Sequence, residues 1–409
     1  MNSTATVLRP RRGILLNAPP LTSERLVRRR VYLTWFLLYF NTLTFFPEVS
    51  FIPIPSSVGK GIAQASLGFA LLCALSVNRK VLLRPNVLLG IVTVIVLGTV
   101  MTTLQPQHFG TVFRTVRFAG FVATLWLLTP WWGRRDMLLL RCHLTALSIA
   151  LGSVIIGLAV SPGHALMQGR LSGALWPMQP TQVAHYAAVV IGLVVVLWFC
   201  GNLSTRTTAV VAVVAGAVLI LTHTRTALVA LIAGILIAGM SLIVAKPRVR
   251  KLFAAGGAIV AVAALTLSAF ITTWLERGQS SQGLANLTGR TKVWGPLLAA
   301  PRDKFQEIFG FGLSNGSFKG LPIDSNWLAS YQEQGLFGVV LCGTILVFLL
   351  VAAYFQPRGL RRALALFLVT YCLVASFTEV GFTDASPYLL DLAVAASLLV
   401  PPLESGGLT

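Results

Sequence analysis

The chain has 409 residues, of which 56% are hydrophobic and only 11% charged, and 32 Lys and Arg against 12 Asp and Glu give a formal net charge of +20. Its mean hydropathy is +0.80. So apolar a composition excludes both a disordered polar chain and an ordinary soluble domain. Apolar runs long enough to cross a bilayer core of roughly 30 Å recur from Val31 to Pro401, which predicts a multi-pass membrane protein.

Residues 1–30 form a polar, basic tail. The first apolar run follows it and is succeeded by many more, so it reads as a retained first helix rather than a cleaved signal peptide. The runs predict helices at 31–47, 58–77, 86–103, 112–132, 137–160, 181–200, 207–222, 226–245 and 252–275. A long segment, 276–325, comes next, then helices at 327–355, 363–379 and 387–403 and a short tail, 404–409. The expected fold is thus an all-α integral membrane protein of about twelve transmembrane helices, nine within 31–275 and three within 326–403, with one long, partly folded outer loop between the ninth and tenth. Cys73, Cys142, Cys200, Cys342 and Cys372 all lie in apolar runs without CxxC spacing, which reads as packing thiols.

The positive charge is sorted by side. Arg25 with Arg28–Arg30, Arg79/Lys80/Arg84, Arg134/Arg135, Arg206, Lys246/Arg248/Arg250/Lys251 and Arg358/Arg361/Arg362 fall at alternate helix ends. This is the positive-inside pattern, with both termini cytoplasmic and anionic lipid as the partner of most of the charge. It removes the need for a nucleic-acid partner.

Other cations fall on the opposite face, against that rule: Arg114, Arg117, Arg170, Arg225, Arg277, Arg290, Lys292, Arg302, Lys304 and Lys319. Arg114 and Arg117 (FRTVRFAG) share one helix face. Arg225 stands with His223 in THTRTALVALIAG, at the join of two apolar segments, where burying a guanidinium costs roughly 2.5 kcal/mol or more. A single helix-end arginine reads as snorkelling to headgroups. A set of them on one face reads as a receptor for a phosphate-bearing substrate, because the guanidinium fork matches phosphate oxygens.

The long loop carries LTGRTKVW with Arg290 and IFGFGLSNGSF, and ends in GLPIDSNWLASYQEQGLFG. Asp324, Ser325 and Asn326 stand at the mouth of the tenth helix, with Glu333 about two turns deeper. Asp324 has two readings, a helix N-cap or a functional carboxylate. Glu333 either pairs with an arginine or is satisfied inside the bundle.

In order and sidedness, GRLSG with its Pro-containing turn, THTRTALVALIAG, a long loop with GR…W and GFG, and SNWLASYQEQGLFG resemble the O-antigen ligase and polymerase superfamily of bacterial membrane glycosyltransferases. The resemblance runs from about Arg114 to Gly338. It implies a GT-C-like helical fold in the bacterial cytoplasmic membrane. It also implies transfer of a glycan from a polyprenyl-pyrophosphate carrier to an acceptor sugar at the outer face, with inversion and without metal or other cofactor. Arg170 and Arg225 match the arginines that hold the pyrophosphate, and Arg290, Arg117 and Arg114 are expected to extend that site. The ligases carry a His-Asn pair where this chain reads DSNW, so Asp324 becomes the expected base, with His223 as the alternative. Asn326, Glu333 and Lys319 are the expected supporting residues on the acceptor side. The competing reading is a transporter or flippase of anionic lipid-linked sugars, which would also need outward arginines.

Overall fold

Hydrogen-bonding every backbone group inside lipid leaves the helix as the natural form for such runs. A computed structural model of the protein, describing residues 21–103, 109–166, 169–253, 290–314 and 316–401, is built almost entirely from them. In chain order they are α1 (Leu21–Asn41), α2 (Ser56–Val77), α3 (Val87–Thr102), α4 (Phe109–Leu127), α5 (Leu138–Val160), the short α6 (Pro162–Ala165), α7 (Pro180–Phe199), α8 (Thr205–Leu221) and α9 (Arg225–Leu242). After the expected outer loop begins there follow α10 (Thr291–Ala299), α11 (Lys304–Phe309), α12 (Asn326–Phe355), α13 (Leu360–Ala375) and α14 (Pro387–Leu399). Five of these, α2, α5, α7, α9 and α12, are long and apolar enough to cross a membrane. The helix expected at 252–275 lies outside the described residues, as do the tail 404–409 and most of the outer loop up to Arg290. Every other expected helix has a helical counterpart.

The boundaries differ where local chemistry outweighs hydropathy. α1 starts at Leu21, inside the basic tail, where Glu24 and Arg28 pair one turn apart at 3.0 Å. It stops at Asn41 rather than the expected Pro47, because the following chain turns toward a 3₁₀ segment that Pro47 opens.

α7 is apolar on every side and sits at the centre, touching α5, α8, α9 and α13. Gly192 on α7 lets the Phe367 ring of α13 lie against its backbone, where any Cβ would overlap the ring.

One polar network is enclosed in this core. Trp35 Nε1 donates to His143 Nδ1 at 3.4 Å. An indole only donates, so His143 carries its proton on Nε2 and gives it to Asp391 Oδ1 at 2.8 Å. His185 Nε2 stands 3.2 Å from the other oxygen of Asp391, and His185 Nδ1 meets the Tyr371 hydroxyl at 3.2 Å. These contacts lock α1, α5, α7, α13 and α14 together.

The basic ends expected on one side do meet there. Arg28 lies 3.2 Å from Asp136, Arg134 lies 3.3 Å from Glu24, and Arg361 donates to the Arg134 carbonyl at 2.6 Å. Arg170, Arg225, Arg290 and Asp324 belong to the opposite ends of their helices or to the loops there.

α12 is the irregular member. Gly335 breaks it with φ +65° and ψ −162°, a conformation essentially restricted to glycine. Into that break the 307–316 segment docks, with Phe311 and Gly312 amides on the Gln332 and Glu333 carbonyls at 3.0 and 2.9 Å.

Candidate functional site

The site grows from the turn between α8 and α9. α8 ends at Leu221 with Thr222 as its C-cap, His223 takes φ +50°, and α9 begins at Arg225 with Thr224 in the N-cap position but making no side-chain cap. The first amides of α9, at the positive end of a helix dipole, thus receive no cap from the Thr224 side chain. The GRLSG loop is pinned to this turn: the Leu171 amide donates to the Leu221 carbonyl at 2.9 Å. Arg170 Nε donates to the Thr222 carbonyl at 3.0 Å, and its Nη2 to Thr224 Oγ1 at 3.3 Å. Burial pulls the Arg170 guanidinium below the usual arginine range, and the charge of Glu379 works the other way. Nε and Nη2 of Arg225 are enclosed and find no hydrogen-bond partner among the described residues.

A second strand of contacts leads to the long loop. Thr226, next to Arg225, shares a 2.6 Å hydrogen bond between hydroxyls with Thr378. The Thr378 carbonyl accepts from Arg290 Nη2 at 3.4 Å, and Arg290 Nε lies 3.8 Å from Asp324 Oδ2. Arg170, Arg225, Arg290 and Asp324 thus form one neighbourhood, linked through Thr224, Thr226 and Thr378. Beside Arg170 opens a cavity of about 220 Å³, with Glu48, Ser172, Gln179 and Thr181 in its lining. Among the described residues, Arg170 alone of the expected site residues lines it.

Asp324 is not the helix N-cap that one reading of the sequence offered. The N-cap position belongs to Ser325, which makes no side-chain cap, and Asp324 sits outside the helix at φ +47° with a half-exposed carboxylate turned to Arg290. Its strained backbone is the sort of outlier that points to function.

Other expected residues have structural partners. Glu333 takes no arginine: its Oε1 accepts from the Ser314 and Gly316 amides at 2.8 and 2.7 Å and the Ser314 hydroxyl at 3.1 Å, holding the GFGLSNG loop. Asn326 is buried, with Oδ1 accepting from the Phe382 amide at 2.9 Å and Nδ2 on Cys342 Sγ at 3.1 Å. Arg117 Nη2 donates to the Ala385 carbonyl at 2.7 Å and its Nε to Asn41 at 3.3 Å. Arg302, stacked 4.1 Å over Tyr331, donates to the Tyr331 carbonyl and to Gln332 Oε1. Lys319 is exposed at the tip of a two-stranded hairpin pairing Ser317 with Pro322, 5.5 Å over the Phe318 ring. Arg114 is partly buried on α4, one turn before Arg117.

One residue of the site was not singled out from the sequence. Glu379 follows Thr378 in the 376–386 loop. Burial first, then the charge of Asp324, pushes its carboxyl up to about 7, while Arg290 and Arg170 act in the opposite sense. Hydropathy puts Glu379 at the end of a helix, but the helix closes at Ala375. The available signal was its chemistry: an acid is rare in so apolar a chain, and an acid at the membrane-facing edge is a functional candidate by default.

The fold with its apolar helices is that of an all-α, multi-pass membrane protein. In comparison with known proteins, the chain matches no family model and no curated protein.

Proposed function

We propose that the protein is a membrane glycosyltransferase that moves a glycan from a polyprenyl-pyrophosphate carrier to an acceptor sugar at the outer face of the cytoplasmic membrane, in cell-surface polysaccharide assembly. The observation that carries this is Arg225: two enclosed guanidinium nitrogens without partners among the described residues, at an N-terminus of α9 that Thr224 does not cap, with Arg170 held on Thr224. Unpaired buried donors are costly, so a site that keeps them is built for an acceptor that arrives with the substrate. A pyrophosphate offers such oxygens to both the guanidinium and the helix amides. Positive charge held there stabilises the pyrophosphate as its bond to the anomeric carbon breaks. The acidic neighbours Asp324 and Glu379 supply groups to take the acceptor's proton, with His223 as a further candidate in the same turn. The apolar helices around the site offer the carrier's tail a lipid-facing path.

The break in α12 is the observation that favours a transporter, since such proteins place substrates at interrupted helices. Here the break is filled by the 307–316 segment, which weighs against that use.

Undecaprenyl pyrophosphate binding to the purified protein in detergent tests the proposal. Arg225→Lys and Arg170→Lys each weaken binding by ~10- to 100-fold, the scale of one charge-assisted fork. Arg29→Lys, exposed among the opposite basic cluster, does not. Normal carrier binding by both lysine variants refutes the phosphate site. Carrier crossing the bilayer of proteoliposomes without formation of a glycosidic bond identifies a transporter instead.

A further inference from the structure

Away from the arginine neighbourhood, His143, His185 and Asp391 are 0–2% exposed and enclosed together in the core. Glu48 lines the cavity beside Arg170, and three further carboxylates, on α12 and the loops around the arginines, have different situations. Glu333 is held by three donors of its own loop. Asp324 faces Arg290 at 3.8 Å, and taking a proton would discharge that ion pair. The Glu379 amide donates to the Ala375 carbonyl at 2.9 Å, but its carboxylate has no hydrogen bond or ion pair within 4 Å among the described residues, although its neighbour Thr378 is tied to Arg290 on one side and to Thr226 on the other.

Resting on the glycosyl-transfer reading above, we propose that Glu379 is the catalytic base that accepts the acceptor's proton, and that Asp324, paired with Arg290, is the positioning residue that tunes it.

The backbone around Glu379 is unusually well held for a loop between two apolar helices. The Asn326 amide donates to the Ser376 carbonyl at 2.9 Å, and Trp327 Nε1 donates to the Ser376 hydroxyl at 3.0 Å. Asn326 Oδ1 takes the Phe382 amide, Gln334 Nε2 donates to the Thr383 carbonyl at 2.7 Å, and Arg117 fixes Ala385. Asn326 and Arg117, expected to touch substrate, thus act by presenting this loop. A base fixed in place before substrate arrives avoids reorganisation in the transition state.

The electrostatics agree with the geometry. Partial burial and the charge of Asp324 bring Glu379 up to about 7, where a carboxylate is still available near neutral pH yet binds a proton well. Arg290 and Arg170 keep it from remaining protonated. A pyrophosphate binding those arginines offsets their charge and strengthens Glu379 as a proton acceptor when the donor is in place.

In the step itself, the acceptor hydroxyl gives its proton to the Glu379 carboxylate while its oxygen lone pair forms the bond to the anomeric carbon. The anomeric C–O bond to the carrier breaks, and its electron pair stays on the pyrophosphate oxygen facing the arginines. Glu379 then releases the proton to water. One displacement inverts the anomeric centre.

The experiment is single-turnover transfer in proteoliposomes, using as donor and acceptor the undecaprenyl-pyrophosphate-linked oligosaccharide extracted from the source membranes, across a pH series. The wild-type rate climbs through an acidic limb at or above about 7, since only ionised Glu379 takes the proton and bound pyrophosphate raises its affinity for that proton. Glu379→Gln loses ~100-fold or more at every pH while still binding undecaprenyl pyrophosphate. Asp324→Asn costs less than Glu379→Gln and moves the acidic limb to lower pH, because the charge that raises Glu379 is gone. Near wild-type transfer by Glu379→Gln overturns the assignment. So does an Asp324→Asn limb that stays in place, which returns Asp324 to the role of base or of mere loop residue. Wild-type protein that binds the carrier but forms no glycosidic bond refutes the transfer reading and this proposal with it.

Discussion

Glu379→Gln has a consequence for stability that is independent of catalysis. Glutamine imitates the protonated acid, the form the folded protein prefers. Moving the carboxyl from its ordinary 4.5 to about 7 sets the window. At ~1.4 kcal/mol per tenfold change, the ceiling is roughly 3 kcal/mol. The side chain is only half-buried, and solvent screening brings this to ~1–2 kcal/mol. The sign follows from linkage: with the folded value raised, stability is fully present below about 4.5 and is lost as pH rises through about 7. Wild type and Glu379→Gln should therefore melt together near the acid end of the window. Between these limits the variant gains, and above about 7 it stays ahead by a constant margin, ~1–2 °C for that energy in a chain of 409 residues. Thermal unfolding in detergent followed with a thiol-reactive dye reads this directly, because Cys142, Cys342 and Cys372 are buried until the protein opens. A gap that does not vary with pH, or a wild type more stable than the variant at alkaline pH, refutes the raised affinity of Glu379 for its proton.

Gly335→Ala should cost ~2 kcal/mol or more, from the forbidden backbone conformation and from a Cβ overlapping the Ile308 carbonyl carbon and oxygen. A lowered melting temperature with unchanged helix content is the expected result, and a wild-type melt shows that α12 can run straight without cost. Leu321→Cys, on the exposed hairpin, should react with a membrane-impermeant maleimide in intact cells above the background of the parent chain. Protection until the cells are permeabilised reverses the sidedness on which the outward arginines rest.

Among the described residues, the short α6, α10 and α11 were not foreseen, but hydropathy was enough to find the long apolar helices, because crossing lipid is a property of a window of residues and needs no knowledge of neighbours. The same holds for which cations lie at which helix ends, and so for Arg170, Arg225, Arg290 and Asp324 as the residues to watch. What each polar group does was decided by partners remote in the chain. Arg117 reaches a carbonyl 268 residues away and Arg290 one 88 away, while His143 meets Asp391 across 248. The sequence shows that a guanidinium is present, and only packing shows whether its donors are taken, as Nε and Nη2 of Arg117 are, or left open among the described residues, as Nε and Nη2 of Arg225 are. Asp324 and Glu379 are the sharpest case. As sequence they are one acid at a predicted helix start and another at a predicted helix end. Their coupling exists because α12 and the 376–386 loop are hydrogen-bonded side by side, which puts two like charges within range of each other and of the same two arginines.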